Sequence, residues 1–220
     1  MTTGQAIYCR EVLRDAPRAF YPMQEASGNP ADVSGNGLAF TSTSGTPVYH
    51  TPGPFGDDYA IQLPGGSSLN RSTQVSVVQN DFTIEMWVRV EIVTSTDQLI
   101  IHNGNVAANG WGLRMNDGNV FLGLAGGIAE MTGKGMSTSV WQHLVMLRDS
   151  TDSSRWKYYQ DGTVTLANAG TSNPGVPSGT LILGATNAQY SFAYVAIYET
   201  VLSAARIAAH FAAPGRRGTP

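Results

Sequence analysis

The chain has 220 residues, 42% of them hydrophobic, which is enough for one sizeable core, and all-β domains reach this length without dividing. Only 13% are charged and the net charge is −3, from 13 Lys and Arg against 16 Asp and Glu, so no broad basic field exists to hold a phosphate backbone or an anionic bilayer. Nucleic acid and membrane insertion are therefore not expected. The single cysteine, Cys9, cannot close an internal disulfide, and with no His or Lys beside it in sequence it reads as a small buried hydrophobe.

Residues 1–14 lack the basic start and apolar run of a secretory signal, and no apolar stretch approaches the ~18 residues of a membrane span, so the expectation is a soluble, unprocessed chain. Ala6, Ile7, Val12 and Leu13 are spaced for one short helix, which Pro17 stops. A strand is expected over 18–23, then a loop dense in turn formers over 25–37, with a strand resuming over 38–41. Residues 42–58 carry Pro47, Pro52 and Pro54 and read as irregular, a segment that interrupts any sheet ladder.

From residue 59 the chain becomes a series of short strands, expected over 59–63, 81–93, 99–101, 111–115, 119–124, 141–147, 156–160, 163–166, 181–184 and 192–198. Asp117-Gly118 and Asp161-Gly162 are hairpin signals, because a tight primed turn needs positive φ at its centre. Near the end, Ser203 can cap a second helix that sets Ile207 above Phe211, and Pro214-Gly215 stops it. Many evenly spaced strands with 25 glycines and little helix give the fold class as an all-β, antiparallel β-sandwich with one short helix at each end. On the longest strand Phe82, Ile84, Met86, Val88 and Val90 fall on one face, and Thr83, Glu85, Trp87, Arg89 and Glu91 on the other.

Five blocks in order carry a resemblance: Ala19 onward to Gly28, Asp32-Val33-Ser34-Gly35-Asn36-Gly37, Phe82-Thr83-Ile84-Glu85-Met86-Trp87-Val88, Trp141-Gln142-His143-Leu144-Val145, and Val195-Ala196-Ile197-Tyr198 followed by Leu202-Ser203. With them the chain resembles the laminin G-like, concanavalin A-like jelly rolls, especially a bacterial and phage branch. The resemblance implies a helical arm over 1–17, a jelly roll over 18–214 and a tail over 215–220. It also implies two packed antiparallel sheets, often with a metal or sugar site on loops at one rim. Relatives usually carry acidic residues just before the last strand, where this chain has Ala193-Tyr194.

Jelly rolls of this kind include glycoside hydrolases, which need two carboxylates about the scissile bond. Here Glu85 shares its face with Thr83, Trp87 and Arg89 and has no second carboxylate placed to pair with it in catalysis, so a structural or surface role is expected and no enzyme. No serine sits in a nucleophile elbow, and His50, His102, His143 and His210 lack zinc-ligand spacing, His143 reading as a hydrogen-bonded core residue. No cofactor is expected. Calcium has oxygen donors at Asp97, Asn103, Asn105, Asn109, Asn116 and Asp117, but ordinary turn chemistry accounts for these residues and is preferred.

Trp87 is either a platform for a sugar ring, with Glu85 and Arg89 bonding the hydroxyls, or a packing residue beneath the N-terminal segment or a small third sheet. Loop candidates for glycan contact are Asn109, Trp111 and Arg114, with Asn187, Gln189 and Tyr190. The functional expectation is a non-enzymatic surface protein of a phage virion, a minor tail component or capsid decoration released by lysis. Its partners would be other virion proteins, repeated copies of itself and a cell-surface glycan. The alternative is a free carbohydrate-binding lectin.

Overall fold

The strand over residues 82–92 is central to the architecture because both of its faces are largely buried, the apolar one between two sheets and the other beneath helices. In chain order the computed structural model runs α1 (Thr3–Arg14), β1 (Ala19–Tyr21), β2 (Ser42–Ser44), β3 (Val48–Pro52), β4 (Tyr59–Leu63), β5 (Ser68–Arg71), β6 (Phe82–Ile92), β7 (Gln98–Asn105), β8 (Asn109–Asn116), β9 (Val120–Ala125), β10 (Ile128–Gly135), β11 (Trp141–Arg148), β12 (Trp156–Gln160), β13 (Thr163–Asn168), β14 (Thr180–Gly184), β15 (Gln189–Tyr198) and α2 (Ala204–Ala212). The residues described are 3–92, 98–116, 120–126, 128–168, 172–184 and 188–215.

Two antiparallel sheets form a sandwich. The first follows the order β13-β12-β11-β6-β15-β4-β3, and the second β10-β9-β8-β7-β14-β5-β2. Between them lie Phe82, Ile84, Met86, Val88 and Val90 of β6, packed with Trp111, Leu113 and Met115 of β8 and with Leu181 and Leu183 of β14. The opposite face of the first sheet carries Trp87, Val145, Leu147, Ala193, Ala196 and Tyr198, and Tyr8, Cys9 and Val12 of α1 with Ile207 of α2 cover it. Burial of Cys9 beside the charge of Asp58 pushes its thiol up to about 11, which makes it an inert packing residue.

Strand β15 pairs with β6 along one edge and serves two partners along the other. Its first half pairs with β4 through Tyr190, Ser191 and Phe192, and its second half pairs with β1 through Val195, Ala196 and Ile197. Between the halves the β6 register slips from Ala193 to Ala196, and Tyr194 stands there at φ +53°, its N–H donating to Pro22 O at 3.3 Å. A bulge of this kind turns a strand toward a new neighbour.

Three sequence expectations need correction. Residues 38–41 form no strand, and 42–58 contains two, β2 and β3. Both lie at sheet edges, where a proline such as Pro52 removes no ladder hydrogen bond that the sheet needs. The β7 strand runs through His102-Asn103-Gly104, where an end was expected. The Asp161-Gly162 turn has φ +52° and +77° as a primed turn demands, while Asp117-Gly118 lies outside the described residues.

The loop before β2 is organised by one carboxylate. Asp32 accepts from the N–H groups of Phe20 and Ser34 through Oδ1 and of Leu38 through Oδ2, at 2.9–3.0 Å. Burial works against its charge, but these hydrogen bonds hold its pKa below the usual carboxylate value. Replacing Asp32 by Ala strands three donors and is expected to cost about 2–3 kcal/mol, read as a lower urea midpoint at unchanged m-value.

Candidate functional site

The covered face of the first sheet is built by the two ends of the chain. Tyr8 and Val12 lie one turn apart on α1, and Ser203 caps α2 by accepting from the Arg206 N–H at 3.3 Å, so that Ile207 and His210 face inward. Residues 53–58 close the same face from one side. Asp58 accepts from the Phe55 N–H and the Tyr194 hydroxyl, both at 2.8 Å, and Phe55 then stacks on Tyr194 with centroids 4.9 Å apart.

At the centre sits Glu85, fully buried. Its Oε1 accepts from the Tyr8 hydroxyl and from His143 Nε2, each at 2.8 Å, and its Oε2 accepts from the Tyr198 hydroxyl at 2.9 Å. His210 Nδ1 lies 3.1 and 3.0 Å from the two oxygens. The far nitrogen of His210 is 2.8 Å from Asp15 Oδ2, so the ring bridges a carboxylate on β6 and one just past the end of α1. Arg206 completes the arrangement, with Nε on both Asp15 oxygens at 3.1 and 2.8 Å and a terminal nitrogen on Glu11 Oε2 at 3.1 Å.

The electrostatics follow from this wiring. Burial opposes the Glu85 charge, but hydrogen bonds from His143 and His210 and the charge of His210 outweigh it and hold the carboxyl far below its usual range. Burial likewise opposes protonation of His210, and the Glu85 hydrogen bond and charge, with Asp15, raise its pKa nonetheless. Tyr8 and Tyr198 are pushed up by burial and by the Glu85 charge, so they remain donors. His143 donates through Nε2, and its buried Nδ1 has no partner, which assigns the Nε2–H tautomer.

The arrangement has acid/base groups but no chemistry to offer a substrate. A carboxylate that accepts from two tyrosines and two histidines has its lone pairs occupied, and it lies under two helices with no exposed surface. Its role is to fasten α1 and α2 to β6. Here sequence reasoning found Glu85 and the buried, hydrogen-bonded His143, and missed Tyr8, Tyr198 and His210.

The residues expected to contact glycan are not brought together. Trp87 is no platform: it is fully buried, with Phe55 edge-on at 5.2 Å and Phe211 stacked at 6.0 Å, which is the packing alternative. Trp111 is in β8 rather than a loop, fully buried against Phe82 at 4.3 Å, its Nε1 donating to Val78 O at 2.6 Å. Tyr190 is likewise a buried strand residue whose hydroxyl bonds Gln98 at 3.2 Å, and Gln189 opens the same strand half-buried. Arg114 alternates with Leu113 and Met115, so it lies on the outer face of the second sheet.

Asn109 stands at the rim, where its side chain accepts from the Asn105 and Ser178 N–H groups and donates to the Ser178 hydroxyl. Asn187 lies outside the described residues, as do Asp97 and Asp117, and the Asn116 side chain is not described either. Asn103, in β7, holds the backbone of Val75 and Ser76 from a distant part of the chain, and the Asn105 side chain accepts from the Ala107 N–H two residues on. Among the described residues no helix is long and apolar enough to cross a membrane.

A laminin G family model, described as the concanavalin A-like lectin/glucanases superfamily, matches residues 56–208. Among solved structures, the binding domain of Paraclostridial Mosquitocidal Protein 1 superposes with a TM-score of 0.70 at 16% identity, over 90% of this chain and 52% of that one. A botulinum neurotoxin type C structure, reported for cell entry dependent on two ganglioside molecules, gives 0.70 at 14% identity, over 94% and 53%. Trypanosoma rangeli sialidase with sialic acid gives 0.64 at 12% identity, over 88% and 32%. The chain thus spans about half of each toxin chain and a third of the sialidase, and at these identities the likeness is one of fold. No curated protein sequence matches.

Two outcomes follow from the covered face. Glu85→Ala, which strands the buried donors of Tyr8, His143, Tyr198 and His210, is expected to cost about 3–5 kcal/mol in chemical denaturation. The raised pKa of His210 contributes stability that is full below its unfolded value of about 6.5 and is lost as pH rises through the folded value, whereas the lowered pKa of Glu85 contributes above about 4.3 and is lost on acidification. The melting temperature should therefore fall as pH rises above about 6.5, and His210→Gln should flatten that alkaline limb. Trp111→Ala should lose about 3–5 kcal/mol of stability, as a core deletion does.

Proposed function

We propose that this chain, which belongs to the concanavalin A-like lectin/glucanases superfamily, is a non-catalytic glycan-binding module. The observation that carries the reading is the state of Glu85. The sheet centre that would hold an exposed acid and its partner base instead holds a carboxylate saturated by two tyrosines and two histidines and sealed by both terminal helices. A sandwich without that machinery retains its loops and outer surfaces for recognition. The toxin binding domain that it resembles, and the neurotoxin whose cell entry depends on gangliosides, support a role at cell-surface glycans.

Assembly into a phage particle, expected from the sequence, finds no support in the fold or in its relatives, and the proposal is confined to glycan recognition. The test is a glycan array probed with the intact chain, followed by product analysis of every retained glycan. Binding with the glycans recovered intact is expected. Release of reducing sugar from any of them overturns the non-catalytic reading, and an array without a ligand overturns glycan recognition.

A further inference from the structure

A second surface lies where β3 meets the start of β4. Tyr59 opens β4 and remains 44% exposed, and His50 of β3 lies flat against it, with ring centroids 4.1 Å apart and planes within 14°. Two backbone devices hold that pair. The β3–β4 register slips between Val48 and Thr51, and His50 inside the bulge has φ +54°, a left-handed conformation that a non-glycine residue holds only when its surroundings impose it. Gln24 then grips the main chain of Tyr59 from both sides, donating to its carbonyl at 2.6 Å and accepting from its N–H at 2.9 Å. The tyrosine backbone is fixed while its ring is offered to solvent.

Beside the ring is an open depression lined by Gln5, Gln24, Glu25, Val33 and Asp57, with no lysine or arginine among its lining residues. Glu25 uses Oε1 to accept from the Ala31 N–H at 2.9 Å. Its Oε2 is buried and accepts nothing from the protein, so it is a desolvated acceptor lacking a donor. A pyranose ring has what this surface lacks: C–H bonds to lie on an aromatic face, and hydroxyls to donate to carboxylates at its edge. An anionic sugar would meet Glu25 and Asp57 with like charge.

We infer that this depression binds an uncharged hexopyranose, which stacks on Tyr59 and donates hydroxyl hydrogen bonds to Glu25 and Asp57. The inference rests on the glycan-binding reading above and assigns it a place and a sugar class.

The test is NMR titration of the whole chain with methyl mannoside, methyl galactoside, N-acetylglucosamine and, as the anionic probe, N-acetylneuraminic acid. A neutral sugar is expected to shift the amides of Gln24, Glu25 and Tyr59, and N-acetylneuraminic acid to leave them unchanged. Tyr59→Ala should weaken binding about tenfold with the melting temperature retained, while Tyr59→Phe binds as the unmodified chain does. Binding indifferent to Tyr59→Ala, shifts confined to other residues, or a preference for N-acetylneuraminic acid overturns the site even where the glycan array finds ligands. An array empty of ligands overturns the broader reading together with the site.

Discussion

The structure depends on one buried charge. An ionised carboxylate taken from water is tolerated only when every lone pair is matched, and Glu85 meets that demand with donors from four separate elements, α1, β11, β15 and α2. Those donors fix where the two helices lie. Apolar packing of Tyr8, Val12 and Ile207 supplies most of the burial on this face, but apolar contact is non-directional. The Glu85 and Asp15 bridges through His210 make one docking position better than its neighbours.

The same requirement accounts for the choice of small residues on the neighbouring strand. Ala196 stands opposite Glu85 and Ala193 opposite Trp87, leaving room on that face for the carboxylate's partners and for the indole. Ala193-Tyr194, which marked a departure from acidic relatives in the sequence, has a positive use here. Tyr194 is the bulge residue, and its ring and hydroxyl anchor the 53–58 loop through Phe55 and Asp58.

Much of the sandwich was legible because strand periodicity is a local property. The two faces of residues 82–92, the Asp161-Gly162 turn and the Ser203 cap each depend on residues within a few positions of one another. The surroundings of Glu85 were not legible, since its partners lie 58 to 125 residues away and no spacing rule connects them. Trp111 and Tyr190 were misread for a different reason. Each carries a polar atom that suggests a wet site, and each satisfies it inside the core, on Val78 O and on Gln98. The exposed Tyr59 gave no signal because its strand pattern is that of a buried one, and only the His50 bulge and the Gln24 grip leave it outside.

The placement of α2 also sets the order in which the molecule is completed. Sixteen of the seventeen elements described precede it, yet the carboxylate at the middle of β6 lacks its His210 partner until that residue has been synthesised. A ribosome-bound chain short of that helix carries a buried anion missing a donor and an uncovered apolar face, a state disposed to stay open or to associate. Closure of this face therefore waits on α2, the element that follows all fifteen described strands in chain order.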